Sequence, residues 1–157
     1  MAASFTEKLS ALGLELPEAV APLAAYVPAT RVGNQVWTSG QLPLIDGSLP
    51  TTGKVGAEVS EDEGYELARR ACLNALAAID ALVGLDNVTR VLKVVGFVAS
   101  APDFTGQPKV INGVSELIGE VFGDASAHAR SAVGVAVLPL DSPVEVEIIV
   151  EVADAAA

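Results

Sequence analysis

Near its C-terminal end the chain runs VEVEIIVEV, where Val144, Val146, Ile148, Val150 and Val152 alternate with Glu145, Glu147, Ile149 and Glu151. A strand sends successive side chains to opposite faces, so the first set belongs to a core and the second to a far face carrying carboxylates. Two earlier stretches repeat every third or fourth residue instead. Ser60 and Glu63 form a capping box, and Tyr65, Ala68, Cys72, Leu76, Ile79 and Val83 then make one apolar stripe, opposite Glu66, Arg69, Arg70 and Asp80. Gly84 ends that helix. A second helix spans about Pro108 to Phe122, with Val110, Ile111, Val114, Leu117, Ile118 and Val121 inward; Pro108 suits its first turn and Gly123 its C-terminal cap.

Shorter elements fill the remainder. Ser4 to Leu12 reads as a small amphipathic helix with Phe5, Leu9 and Leu12 on one side and Gly13 as its stop. Strands are expected at Tyr26–Val32 and Gln35–Ser39, joined by the hairpin signal Gly33-Asn34. Leu42 to Ala57 carries loop chemistry, with room for short strand pieces. Val91–Ala99 reads as a strand bulged at Gly96, and Ser131–Val137 and Pro143–Val152 as the last two. The order β-β-α-β-α-β-β predicts an α+β fold in which two helices cover one face of a mixed sheet. The stretches 91–99 and 132–138 alternate poorly, as strands buried on both faces do. A far face that is part apolar and part acidic points to a subunit interface with a wet cleft.

At 157 residues the chain is the size of one domain; residues 1–15 form an N-terminal helical extension and 153–157 a frayed tail. Hydrophobic residues make up 51% but aromatics only 4%, so the core is aliphatic. Mean hydropathy is +0.47, yet no apolar run reaches the ~20 residues of a membrane span, which leaves burial between subunits to absorb the excess. The net charge of -11 disfavours both nucleic acid and an anionic membrane surface, but one positioned arginine would still suffice for a small anion. The N-terminal segment lacks the basic and apolar regions of a signal peptide, so a cytoplasmic location is expected. One Cys and one His leave no intramolecular disulfide and no Cys/His metal cluster.

Candidate chemistry concentrates in HARSAVGVAVLPL, residues 128–140. Arg130, one of few cations in an acidic chain, is suited to grip a carboxylate with two parallel bonds, or to form a structural ion pair with Glu145 or Glu147. His128 lies two residues earlier and would face the same side, either at the rim of a ligand site or as a loop-packing residue. Cys72 reads as a small buried hydrophobe, and Trp37 as core or interface packing. The glycines form no phosphate-binding loop.

Taken in order, Tyr26, NQVWTSGQLPL (34–44), the long helix, INGVSELIGEVFG (111–123), HARSAVGVAVLPL and VEVEIIVEV resemble the RidA/YjgF superfamily from about residue 12 to 152. TGKVGAEVS (52–60) and QPKVING (107–113) are similar to its longer branch, which carries an endoribonuclease label. The resemblance implies a chorismate-mutase-like fold and a homotrimer with a central barrel of sheets, outer helices and three intersubunit clefts. It implies cofactor-independent hydrolysis of small enamines and imines to 2-keto acids and ammonia. Arg130 matches the arginine that binds the substrate carboxylate, Glu147 the acid that positions water, and Tyr26, Ser39, Gly40 and Asn112 positions lining the cleft. Two residues depart from the deaminase pattern: Ala132 stands where Cys is frequent and His128 where Pro is usual. A trimer that only binds or senses a small carboxylate is the alternative. Endoribonuclease activity fits poorly with the acidic charge.

Overall fold

The computed structural model describes residues 1–21 and 25–154. Five strands form one mixed sheet in the order β1-β2-β5-β3-β4: β1 is Ala29–Val32, β2 Gln35–Thr38, β3 Val88–Ala99, β4 Ala129–Val135 and β5 Val144–Val152. All neighbours are antiparallel except β3 and β4, which run parallel. The helices are α1 (Phe5–Ala11), α2 (Glu61–Val83) and α3 (Gln107–Phe122). The expected β-β-α-β-α-β-β order is present, with α1 ahead of it.

The stripes place the core as their spacing demands. All five valine and isoleucine positions of β5 that face inward are buried, whereas Glu145, Glu147, Ile149 and Glu151 are half-buried on the far face. Val110, Ile111, Val114, Leu117, Ile118 and Val121 of α3 are buried against α2 and β3. Burying each such side chain contributes roughly 1.5–3 kcal/mol. The Ser60–Glu63 capping box forms with both reciprocal bonds, and Gly84 closes α2 at φ 79°. An equivalent box, Ser4 with Glu7, starts α1.

Several expectations change. Pro28 has no N–H to give a ladder, so β1 begins at Ala29 and Tyr26 lies outside it. Leu12 is the C-cap of α1 and exposed; only Phe5 and Leu9 face the core. Gly96 is not a bulge, since it pairs in regular register with both Val146 and Ala132. A Cβ there would overlap the Ile111 side chain, so the glycine lets α3 approach the sheet. The irregularities fall earlier in β3, between Val88 and Arg90 and between Val91 and Lys93. β4 is not buried on both faces: it is the sheet's edge strand, with exposed and half-buried side chains.

The middle of α2 is covered all round rather than along one stripe. The loop after β2 lies across it, where the Asn74 amide donates to Leu42 O (2.8 Å) and Leu44 O (3.1 Å). Arg70, expected on the polar side, is half-buried and donates from Nε to Leu44 O (3.0 Å). That loop contains short bridges, Gln41 to Val146 and Val55 to both Val59 and Ser100. At the other end Ala153 still donates to Asn87 O, so the expected fraying does not reach it; 155–157 lie outside the described residues.

Candidate functional site

Arg130 sits in β4 opposite Val94 of β3. Paired residues share a face, and Val94 is core, so the guanidinium points to the helix side of the sheet. Helix α3 runs past it and supplies acceptors at positions four and three apart, which fall on one side of a helix. Nη1 donates to Asn112 Oδ1 (2.8 Å) and to Ser115 Oγ (3.2 Å), and Nη2 donates to Pro108 O (3.3 Å). A guanidinium has five N–H donors. Nε–H and one Nη2–H therefore remain without a partner among the described residues, along one edge of the planar fork. That edge has the geometry for bidentate carboxylate recognition. No ion pair joins Arg130 to Glu145 or Glu147, the structural alternative raised by the sequence.

His128 joins the same cluster. Its Nε2 lies 2.9 Å from Ser115 Oγ and its Nδ1 2.5 Å from Ser126 O. Ser115 thus touches both His128 and Arg130, and it was missing from the sequence expectations. The available signal was its position three residues after Asn112 on the polar side of α3. Gln107, next to Pro108, lines an open groove with Lys54, Ser100, Phe104, Gly134 and Val135. Ala132 pairs with core-facing Gly96, so it shares the arginine's face of β4 and packs against the core.

A second group assembles elsewhere. Tyr26, Pro28, Gly40, Gln41, Pro139 and Glu145 line one pocket. Ser39 does not line it but braces it: its hydroxyl donates to Val27 O (2.6 Å) and its N–H to Pro28 O (2.8 Å), which fixes the segment bearing Tyr26. A Cβ at Gly40 would overlap the Glu145 carboxylate, so the glycine lets that acid lie directly against the loop. Burial, reinforced by the neighbouring Glu147 charge, raises the Glu145 carboxyl above the ordinary carboxylate range.

The structure does not bring all the expected residues together. Glu145 is in register with Phe97 and Glu147 with Val95, both on the face away from the helices, whereas Arg130 faces the helices. The acid beside Tyr26 and Gly40 is Glu145, not Glu147, and Glu147 makes no hydrogen bond or ion pair among the described residues. Alternation in β5 could not rank the two, because both point the same way; only the approach of Gly40 separates them. Trp37 is half-exposed on β2, outside the core. Cys72 is fully buried and its thiol is pushed up to about 12 by that burial. Among the described residues no three His, Cys, Asp or Glu side chains gather to hold a metal ion, and no helix is long and apolar enough to cross a membrane.

Comparison with known proteins gives a consistent family. The model described as "YjgF/chorismate_mutase-like, putative endoribonuclease" matches residues 6–152. Protein TCP17 of Trypanosoma cruzi is 46% identical over 145 residues, 91% of each chain. The 2-iminobutanoate/2-iminopropanoate deaminase of Escherichia coli K12 is 35% identical over 133 residues, covering 85% of this chain and 89% of that one. A crystal structure from Shewanella oneidensis, described as a "putative endoribonuclease", superposes with a TM-score of 0.92 at 36% identity, covering 96% of this chain and all of the other. The chain belongs to the YjgF/chorismate mutase-like family, within the RidA/YjgF superfamily that its segments resemble.

Proposed function

We propose that this protein is a cofactor-independent deaminase that hydrolyses small 2-imino or 2-enamino acids to 2-keto acids and ammonia. The observation that carries this reading is Arg130: a guanidinium fastened by three α3 acceptors, with one fork edge unpartnered among the described residues. The deaminase name of the Escherichia coli relative supports it. The fork holds the substrate carboxylate and draws electron density from the adjacent C=N bond. Glu145 takes over the role that the resemblance gave to Glu147. Burial raises its carboxyl above the ordinary carboxylate range, which favours a protonated form that can donate as well as accept. Water adds to the imine carbon and a proton passes to nitrogen; the resulting carbinolamine then expels ammonia and leaves the keto acid.

Arg130 and Glu145 lie on opposite faces of one sheet, so one small substrate cannot touch both within a chain. The reading therefore requires a second copy, as in the homotrimer implied by the resemblance. Two features support that assembly: the unpaired outer edge of β4, and the exposed Trp37, Val133 and Val137 near the sheet's far face and edge. A cytoplasmic setting, where amino-acid metabolism generates imines, completes the proposal.

The test mixes two inactive variants. Arg130→Ala and Glu145→Gln chains are co-refolded in equal amounts, and ammonia release is followed while an amino-acid oxidase supplies the imine. If each site draws its arginine and its acid from different subunits, random assembly restores about one quarter of wild-type activity. No recovery in mixtures that light scattering proves to be hybrid trimers, or a monomeric mass for the wild type, would overturn the shared site. A wild type that binds pyruvate through Arg130, with binding lost in Arg130→Ala, but releases ammonia no faster than buffer would favour the binding-only alternative.

A further inference from the structure

The hydrogen bonds around His128 fix their own direction. Ser126 O can only accept, so Nδ1 carries a proton. In the neutral ring Nε2 is then the acceptor, and the Ser115 hydroxyl must donate to it. Ser115 Oγ keeps its lone pairs for Arg130 Nη1. The chain of donors runs Arg130 to Ser115 to His128 to Ser126 O, and the serine has no proton left to offer a ligand.

Protonation of His128 reverses the middle link. Nε2–H then donates to Ser115 Oγ, which can accept from both the ring and the guanidinium. Its own O–H is freed from the ring, and a second positive charge sits within about 6 Å of Nη1, set by legs of 2.9 and 3.2 Å. Other charged groups on the elements packed around the ring are engaged elsewhere: Glu116 accepts from Tyr65, Glu120 pairs with Arg69, Lys109 pairs with Glu61, and Lys93 of β3 donates to Ser131. Asp124 lies in the turn before β4 and is exposed. Arg130 is the charge that His128 reaches through a shared hydroxyl.

We propose that Ser115 is a positioning residue that couples protonation of His128 to carboxylate binding at Arg130, so that the anionic substrate is held more tightly once the ring is charged. This rests on Arg130 being the carboxylate anchor. Protonating the ring by acidification then strengthens binding.

Pyruvate serves as the probe, titrated at about pH 5.5 and about pH 8 at constant ionic strength. Two like-signed cations at this spacing in a partly solvated site give a roughly three- to tenfold tighter wild-type Kd at the lower pH. The step should vanish in His128→Gln and shrink in Ser115→Ala, while Ser115→Thr, which keeps the hydroxyl, should restore it. The only histidine of the chain also gives one unambiguous set of ring nitrogen NMR signals. At high pH these should report a protonated Nδ1 and a bare Nε2. A protonated Nε2, or a pH step unchanged in His128→Gln or Ser115→Ala, overturns the coupling but leaves the anchor standing. Pyruvate binding that survives Arg130→Ala, or no binding at either pH, removes the anchor and the coupling with it.

Discussion

Replacing Arg130 by alanine should separate chemistry from folding. The guanidinium is half-buried at a sheet edge, and its three acceptors, Asn112 Oδ1, Ser115 Oγ and Pro108 O, can turn to water when it is gone. Loss of stability should stay near 1 kcal/mol, a fall in Tm of about 2–4 °C for a chain of this size. A carboxylate in the fork would take two charge-assisted bonds from Nε–H and Nη2–H, each contributing roughly 1.5–3 kcal/mol. Their removal lowers kcat/KM by roughly a hundred- to ten-thousandfold. Lysine keeps the charge but cannot serve α3 and a carboxylate from one plane, so Arg130→Lys should sit nearer alanine than wild type. The assay couples an amino-acid oxidase to 2-keto acid appearance and subtracts spontaneous hydrolysis, with melting and light scattering run beside it. Full activity in Arg130→Ala with an unchanged melt would refute the anchor. Lost activity together with a collapsed melt would make the residue a structural tie to α3.

Further expectations follow from other contacts. Gly96→Ala should destabilise the fold by roughly 1–3 kcal/mol through overlap with Ile111, and adding Ile111→Val should recover part of it in denaturant melts; wild-type stability in the single variant would contradict the close approach. The raised Glu145 carboxyl contributes stability while protonated and loses it as pH rises through its elevated titration. Glu145→Gln should therefore gain in Tm relative to wild type between about pH 4 and pH 7, and a constant difference would argue against the burial effect. With net charge -11, protein purified to constant specific activity should cleave no RNA, and cleavage abolished by Arg130→Ala would reopen the endoribonuclease reading.

The fold was legible wherever one periodicity governed a whole element. The β5 alternation and the α3 stripe name their buried residues correctly, and both the Ser60 box and Gly84 bound α2 as expected. Legibility failed where a tertiary neighbour decides. Gly96 looks like a bulge in one dimension, and only the packing of Ile111 above it reveals the alternative. The strand 131–137 is apolar enough for an interior strand, yet its place at the edge of the sheet order cannot be read from hydropathy. The site divides in the same way. Arg130, Asn112 and His128 meet because β4 and α3 present them at local spacings. Choosing between Glu145 and Glu147 needed the through-space approach of Gly40, and Ser115 carried no signal beyond its place on the polar side of α3.

The way the loop after β2 is fastened has a consequence for variation. Its carbonyls at Leu42 and Leu44 are held by Asn74 and Arg70, side chains that belong to α2. Backbone carbonyls are the same for every residue type, so the grip is indifferent to which side chains the loop carries. Exposed positions such as Ile45 and Ser48 are free to drift, while the pocket wall they continue from stays in place. Asn74 and Arg70 are not free in this sense, because each holds the loop from the helix. Descendants of this chain could therefore acquire new ligand preferences by exchanging loop residues one at a time, without an intermediate that loses the fold.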